Sequence, residues 1–185
     1  CHRRPTQHYT RFDTPMISAL DYLVLRASFV AGAVGAYETL LGRKAEGGEI
    51  RVGNVGLRIE DDASTARLTQ MVFATPDLDK QTRLLERRGL SLTLEATHGV
   101  PIALVERSET PPASPLLQSS EAASIGALDH VVIRSPNPER AVALYAGRLG
   151  LGLRLDRSNP GWNARLLFLR CGDLVVEVAH DLEKG

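Results

Sequence analysis

Two side chains in the last third of the sequence, His130 and Glu177, could together bind a metal ion. Glu177 lies in the apolar run 174–179, where an ionised carboxylate is costly unless it is paired, protonated or bound to a metal. An imidazole nitrogen with a carboxylate oxygen suits Zn, Ni, Mn, Fe or Co, and these two residues do not choose among the metals. Two structural interpretations stay open: a strand histidine hydrogen-bonded to a neighbour, and a carboxylate on the solvated face of an edge strand.

The side chains of the run 128–134 alternate between two faces if the run forms a β-strand. Its odd-numbered apolar residues then point to the face that packs under a helix, which leaves His130 and Arg134 on the opposite face. Arg134 is therefore a candidate contact for an anionic substrate, although a surface arginine is the simpler interpretation. Trp162, in a turn before a later strand, is a candidate wall of the substrate pocket or else a buried packing residue.

The segment that carries His130 is written twice in the chain. Residues 19–26 read ALDYLVLR and residues 127–134 read ALDHVVIR, so the second copy starts 108 residues after the first. Five more residues recur at this spacing in the helix-like stretches that follow: Ala33 and Ala141, Val34 and Val142, Tyr37 and Tyr145, Leu41 and Leu149, Gly42 and Gly150. Matches on both stretches indicate a duplicated unit. Because Tyr22 stands where the second copy has His130, only the second copy carries the candidate ligand.

Three units share one predicted order, a strand, then a helix, then further strands. Unit A has a strand at 20–26, a helix at 30–42, and strands at 49–52 and 55–59. Unit B has a strand at 68–75, a helix between Pro76 and Gly89, and strands at 91–96 and 100–106. Unit C has a strand at 128–134, a helix that Ser135 or Asn137 caps, with Pro138 in its first turn, and strands at 151–157, 164–170 and 173–181.

The segments between the units predict the domain organisation. Residues 1–16 are polar and without periodicity, and we expect a disordered leader or an extension there. Units A and B form a first domain at 17–109, and the proline-rich stretch 110–126 is a linker. Residues 127–185 are the third unit, which is half of a second domain.

Composition excludes several classes of function. The 22 basic and 22 acidic residues balance, so no overall field attracts nucleic acid or an anionic membrane. No apolar run approaches the roughly 20 residues that span a bilayer. With two cysteines and no secretory signal, we expect a cytoplasmic protein without a disulfide framework. The sequence contains no Walker loop, GxGxxG, nucleophile elbow or CxxC motif, so phosphate, dinucleotide and thiol chemistry have no support.

A β-α-β-β-β unit that opens on LDHVVI and closes on DLVVEVAHD resembles the glyoxalase/bleomycin resistance/dioxygenase superfamily, also called the vicinal oxygen chelate superfamily. The resemblance covers residues 17–182 and implies an α+β fold of repeated βαβββ units, with cupped mixed sheets and flanking helices. It implies that His130 and Glu177 are metal ligands, because members place a metal-binding His or Gln and a Glu in such motifs. Unit C is most similar to glyoxalase I-type members, and Glu177 is accordingly the candidate catalytic residue.

The same comparison of motifs predicts that the first domain binds no metal. Tyr22 takes the histidine position of unit A, and Arg58 falls opposite Glu177. In unit B, Gln70 takes the histidine position, and Ala103 falls near the position expected for a carboxylate. One amide oxygen alone is a poor metal site, so units A and B are expected to have a structural or ligand-binding role.

For function, the resemblance favours a metal-dependent isomerase, epimerase or lyase that acts on a small substrate with vicinal oxygens. One alternative is a non-catalytic small-molecule binding protein of the sequestration or resistance type. Another is a protein that resembles the non-haem Fe(II) ring-cleaving dioxygenases of the superfamily. Unit C supplies two ligands, so we expect either a homodimer that shares the site or completion by a further C-terminal unit.

Overall fold

The computed structural model describes residues 17–62, 67–117 and 124–183, which form two mixed β-sheets with helices on one face of each. The strands are β1 Ala19–Ala27, β2 Glu49–Arg51, β3 Gly56–Asp61, β4 Arg67–Thr75, β5 Ile102–Glu106, β6 His130–Arg134, β7 Gly152–Asn159, β8 Ala164–Cys171 and β9 Leu174–Asp181. The helices are α1 Val30–Leu41, α2 Leu78–Arg87 and α3 Pro138–Val142, with a π-helix at Ala143–Arg148 and a 3₁₀ turn at Pro160–Trp162.

Each unit closes by pairing its first strand in parallel with its last strand. The first sheet has the order β2-β3-β1-β4-β5, and the second sheet has the order β6-β9-β8-β7. The parallel pairs are β1 with β3, β4 with β5, and β6 with β9, while β1 and β4 pair antiparallel and so join unit A to unit B. This is the predicted α+β architecture of repeated units. Among the described residues, unit C has three strands after its helix, unit A has two and unit B has one.

The strand predicted at 91–96 in unit B is wrong, because this segment ends in a compact turn. The carbonyl oxygen of Thr93 accepts hydrogen bonds from the backbone nitrogen and the hydroxyl of Thr97, at 3.0 and 2.9 Å. Gly99 then adopts a positive φ of 83°, which favours glycine. Threonine side chains offer the backbone local partners, and here these replace the hydrogen bonds of a sheet.

The helix predicted in unit C is divided into two types. Asn137 is the N-cap, since its side chain accepts a hydrogen bond from the nitrogen of Arg140 at 2.9 Å, and Pro138 follows in the first turn as predicted. From Ala143 the helix widens to π geometry, and the nitrogen of Leu149 donates to the carbonyl of Leu144 at 2.9 Å. Periodicity alone does not distinguish these two helical types.

One hydrophobic core joins the two sheets on their helix-bearing faces. It is built from the inward-pointing side chains of strands in both sheets and from buried side chains of the helices of units B and C. Prominent members are Leu20, Leu23, Met71, Phe73, Leu85, Leu144, Tyr145, Leu167, Leu169, Val176 and Val178. Asn54 adds a polar link, because its side chain donates to the carbonyl of Leu128 at 2.8 Å and accepts from the nitrogen of Leu128 at 2.9 Å.

The described parts of the predicted linker pack along unit A. The hydroxyl of Ser114 accepts a hydrogen bond from the nitrogen of Arg51 at 2.8 Å, and the nitrogen of Ile125 donates to the carbonyl of Leu41 at 3.1 Å. Residues 118–123 and the expected leader at 1–16 lie outside the described residues. Within the described residues, none of the helices has the length and apolar character needed to cross a membrane.

Truncation of the shared core should destabilise the whole chain. Leu144 is a fully buried member of the core, so Leu144→Ala should lower the free energy of unfolding by about 3 kcal/mol through lost burial and the cavity left behind. The matched control is Leu155→Ala, which truncates an exposed leucine of β7 and should cost less than about 1 kcal/mol. Urea unfolding at equilibrium measures both values, and equal losses would contradict the shared core.

Burial should also make Cys171 unreactive. It is a buried free cysteine, and burial raises the pKa of its thiol to about 12. A raised pKa keeps the neutral thiol below that pH, so at pH 8 only about one molecule in ten thousand carries the reactive thiolate. Iodoacetamide at pH 8 should leave Cys171 unmodified in the native protein and modify it in urea, as measured by peptide mass spectrometry. Rapid native labelling would show that the thiol is accessible.

Candidate functional site

The second sheet turns one face away from the core, and this open face is defined by His130, Val132 and Glu177. The parallel register of β6 and β9 pairs His130 with Val175 and Val132 with Glu177. Because side chains alternate along a strand, the neighbours Val131 and Val176 point into the core, where both are buried. The sequence prediction placed His130 on this face; the strand register then brings Glu177 beside it.

The imidazole of His130 lies between two carboxylates. Its Nε2 atom is 3.8 Å from Oε2 of Glu177, and its Nδ1 atom is 2.8 Å from Oδ2 of Asp129. An ionised carboxylate only accepts hydrogen bonds, so Asp129 accepts from Nδ1–H, and Nε2 is the ring nitrogen next to Glu177. The side chain of His130 is 43% exposed and that of Glu177 is 14% exposed, so the pair is accessible from the open face.

This geometry fits two ligands of one divalent metal ion. Metal–nitrogen and metal–oxygen bonds of about 2.0–2.2 Å allow donors of one ion to lie up to about 4 Å apart. The observed 3.8 Å separation falls within that reach. The Asp129–His130 contact matches the carboxylate that commonly orients a metal-binding histidine. In the part of the chain that the structure describes, no group of three or more His, Cys, Asp or Glu residues could complete such a site.

Apolar side chains surround the His130–Glu177 pair on the open face. Phe168 of β8 pairs with Glu177, and Leu155 of β7 pairs with Phe168, so both lie on the same face. Val132 and Leu155 are exposed to solvent. The face therefore combines two polar donors with an apolar surface, which is the usual composition of a small-molecule site.

Arg134 and Trp162 line one cavity, here called the end cavity. It has a volume of about 340 Å³ and also contacts Ala179 and His180. Arg134 pairs with Ala179, two residues along from the pairing of Val132 with Glu177, so the end cavity adjoins the open face. His180 is three residues after Glu177 on β9, so its side chain points to the opposite face of the sheet. Its Nδ1 atom lies 3.1 Å from the carbonyl oxygen of Ser135.

The first sheet places different chemistry at the equivalent positions. The register of β1 and β3 pairs Val24 with Arg58, as Val132 pairs with Glu177 in the second sheet. The guanidinium of Arg58 stacks on the ring of Tyr22, 3.6 Å from its centroid, and donates to Glu49 at 2.8 Å. A cation–π contact with a guanidinium at the carboxylate position disfavours a bound metal ion.

The aspartate of the repeated ALD segment has two different environments, which the sequence did not reveal. Asp21 is 2% exposed and accepts hydrogen bonds from Arg51 at 2.8 Å and from Arg107 at 2.6 Å. The hydrogen bond to Asp21 is the main cause of a raised pKa at Arg107. The equivalent Asp129 is 95% exposed and contacts His130 instead. The two apolar motifs are alike, and only the strands around them determine the partner.

No family model and no curated protein matches this sequence. Solved structures match most of the described chain. A variant of homoprotocatechuate 2,3-dioxygenase from B. fuscum is 18% identical with a TM-score of 0.63, covering 90% of this chain and 54% of that one. BphC, a halotolerant catechol dioxygenase, is 15% identical with a TM-score of 0.60, covering 89% of this chain and 66% of that one. A variant of 4-hydroxymandelate synthase from Streptomyces coelicolor is 14% identical with a TM-score of 0.60, covering 89% of this chain and 63% of that one.

The chain has the vicinal oxygen chelate fold. It spans from just over half to about two thirds of the length of these three proteins. At such low identity the likeness establishes the fold and not the reaction. The finer resemblance of unit C to glyoxalase I-type members stays a prediction.

The two equivalent aspartates provide a matched pair for mutation. Asp21→Asn should lower the free energy of unfolding by about 3 kcal/mol, because it removes the buried charge that pairs with both Arg51 and Arg107 and leaves Arg51 with Glu49 alone. Asp129→Asn changes the same residue in the other copy, where exposure should limit the cost to about 0.5 kcal/mol. Equal costs in a urea unfolding experiment would show that the Asp21 ion pair adds no stability.

Proposed function

We propose that the open face of the second sheet is half of a divalent-metal site that acts on a small substrate with vicinal oxygen atoms. The observation that carries this proposal is the 3.8 Å separation of His130 Nε2 and Glu177 Oε2 on an accessible, apolar face. Asp129 supports it by engaging the other imidazole nitrogen at 2.8 Å. In the vicinal oxygen chelate fold, this is the cupped side of the sheet.

A bound divalent metal would supply a Lewis acid that polarises a substrate oxygen. The residues of the chain have separate tasks around it. His130 and Glu177 hold the metal, and Asp129 fixes the imidazole in the tautomer with a free Nε2. Phe168 and Val132 contact the apolar body of the substrate and limit its contact with water.

The end cavity suggests the shape of the substrate. Its volume of about 340 Å³ suits a small molecule, and it adjoins the open face. Arg134 would contact an anionic group of the substrate, and the exposed Trp162 would form a wall against its apolar part. We therefore propose a small substrate whose oxygen pair binds the metal and whose anionic group lies beside Arg134, two residues along β6 from Val132.

The reaction class proposed first is an isomerisation, epimerisation or lyase reaction, because His130 and Glu177 come from one unit, as in glyoxalase I-type motifs. A ring-cleaving dioxygenase is the second candidate, and the names of two of the matching solved structures favour it. Consumption of O₂ with a catechol separates the two, since an isomerase or lyase consumes none. A protein that binds small molecules without catalysis would bind no metal through His130.

A second unit would complete the ligand set, and the first sheet provides an example of how. There β1 and β4, the first strands of units A and B, pair antiparallel. In the described part of the second sheet, β6 is the first strand of unit C and pairs with β9 on one side. We propose that its other edge receives the first strand of another unit, from a second copy of the chain or from a further repeat.

Metal titration tests the proposal directly. Protein stripped with EDTA should bind Mn²⁺, Ni²⁺ or Zn²⁺ in calorimetry. His130→Ala and Glu177→Gln should each weaken the Kd by about 100-fold or more, because each removes a ligand. Asp129→Asn should weaken it by about 10-fold, as expected for a supporting hydrogen bond. The graded order distinguishes ligands from the residue that orients one of them.

The matched control is His180→Asn, which removes a nearby histidine of the opposite strand parity and should leave the metal Kd unchanged. One metal per chain in a monomer would indicate a site within one chain. One metal per two chains, with a dimeric mass in light scattering, would indicate a site shared between copies. Metal binding that both His130→Ala and Glu177→Gln leave intact would overturn the proposal.

A further inference from the structure

A cleft of about 380 Å³ lies between the turn of unit B and the helix of unit C. Its lining includes Leu94 and His98 from the turn, and Ile133, Arg140, Leu144 and Tyr145 from unit C. Ile133 has the opposite strand parity to His130, so the cleft lies on the other side of the second sheet from the proposed metal ligands. It therefore lies on the opposite side of the sheet from the open face, and it shares Arg134, at the strand end, with the end cavity.

One residue that lines the cleft, Tyr145, carries a buried hydroxyl without a partner. Tyr145 is 2% exposed and lines the cleft, and among the described residues its hydroxyl makes no hydrogen bond. Burial raises the pKa of Tyr145, so the hydroxyl stays protonated and able to donate. A buried hydroxyl left unpaired costs about 1–3 kcal/mol, which a ligand oxygen at this position would recover. Leu144 and Ala141 also line the cleft, and both are buried apolar residues.

The cleft lining carries charged residues. Arg134, Arg140 and Glu95 are among them. Nη2 of Arg140 lies 2.9 Å from Nδ1 of His98. The pKa of His98 is lowered, first by burial and then by Arg140 and Arg148, so the imidazole is neutral at pH 7 and accepts from Arg140. Arg140 thus places a guanidinium beside a neutral imidazole in the cleft lining.

The elements on both sides of the cleft have unusual backbone geometry. His98 adopts a positive φ of 58°, which is uncommon for a residue with a side chain. The helix opposite changes to π geometry at Ala143, and π-helical turns occur frequently at functional sites. The local hydrogen bonds between Thr93 and Thr97 form the turn, and Leu94 and His98 of this turn line the cleft.

We propose that the cleft is a second binding site, for a small organic carboxylate with an apolar body that carries one further oxygen. The carboxylate would contact the guanidinium group of Arg140, which matches its planar geometry. The apolar body would pack on Leu94, Ile133 and Leu144, and the further oxygen would accept from the hydroxyl of Tyr145. The chemistry of the lining selects this ligand class, because it combines a guanidinium group, apolar side chains and one hydroxyl donor.

The test uses metal-free protein in EDTA, which separates the cleft from the proposed metal site. Benzoate, 4-hydroxybenzoate and the neutral benzamide serve as probes in calorimetry. Benzoate and 4-hydroxybenzoate should bind one per chain with a Kd of about 1 mM or tighter, and 4-hydroxybenzoate should bind more tightly than benzoate. Benzamide, which lacks the charge, should bind at least about tenfold more weakly.

Two variants and one control locate the site. Arg140→Gln should weaken both carboxylates by about tenfold or more, whereas Arg154→Gln on β7 should leave them unchanged. Tyr145→Phe should abolish the preference for 4-hydroxybenzoate over benzoate while leaving benzoate affinity within about twofold. Since this variant removes an unpaired hydroxyl, its unfolding midpoint should not fall. Affinities weaker than 1 mM for both acids, equal binding of benzamide, or insensitivity to Arg140→Gln and Tyr145→Phe would overturn the proposal.

Discussion

The parallel pairing of β6 with β9 is the constraint on which the candidate site depends. Side chains alternate along a strand, so a shift of the register by one residue would turn Glu177 into the core and expose Val176 or Val178. Those valines are buried in the core that joins the two sheets, which makes such a shift costly. The hydrophobic effect on one side of β9 thereby positions a carboxylate on the other side. The packing of the core-facing side of the sheet therefore determines which side chains lie on the open face.

The same pairing in the first sheet shows how little the fold determines the chemistry. β1 and β3 have an equivalent register, yet it brings Tyr22 and Arg58 together as a cation–π stack. Glu49 binds the guanidinium from β2, and Asp21 lies beneath in a buried ion pair with Arg51. The strand pairing is the same in both sheets, while Tyr22 and Arg58 stand in the first sheet where the second sheet has His130 and Glu177. This is why a fold shared with dioxygenases leaves the reaction open.

Much of the fold follows from patterns that the sequence carries locally. Apolar runs predict β1, β4, β6, β8 and β9, and the Asn137-Pro138 pair predicts where the last helix begins. The segment 91–96 fails because Thr93 and Thr97 make a local turn that alternation of apolar residues does not reveal. Strand parity predicts the face on which His130 lies, but its 3.8 Å approach to Glu177 depends on register, a relation between segments 47 residues apart. The exposed Asp129 and the buried Asp21 stand in the same motif, so only tertiary contacts separate them.

The two faces of the second sheet differ because successive side chains of β6 point to opposite faces. Its even-numbered residues present a histidine and a valine to the open face, while Ile133 lies on the cleft side against the helix of unit C. Arg134, at the end of the strand, lines both the end cavity and the cleft. The residue at the end of β6 is thus common to two cavities that the sheet otherwise separates.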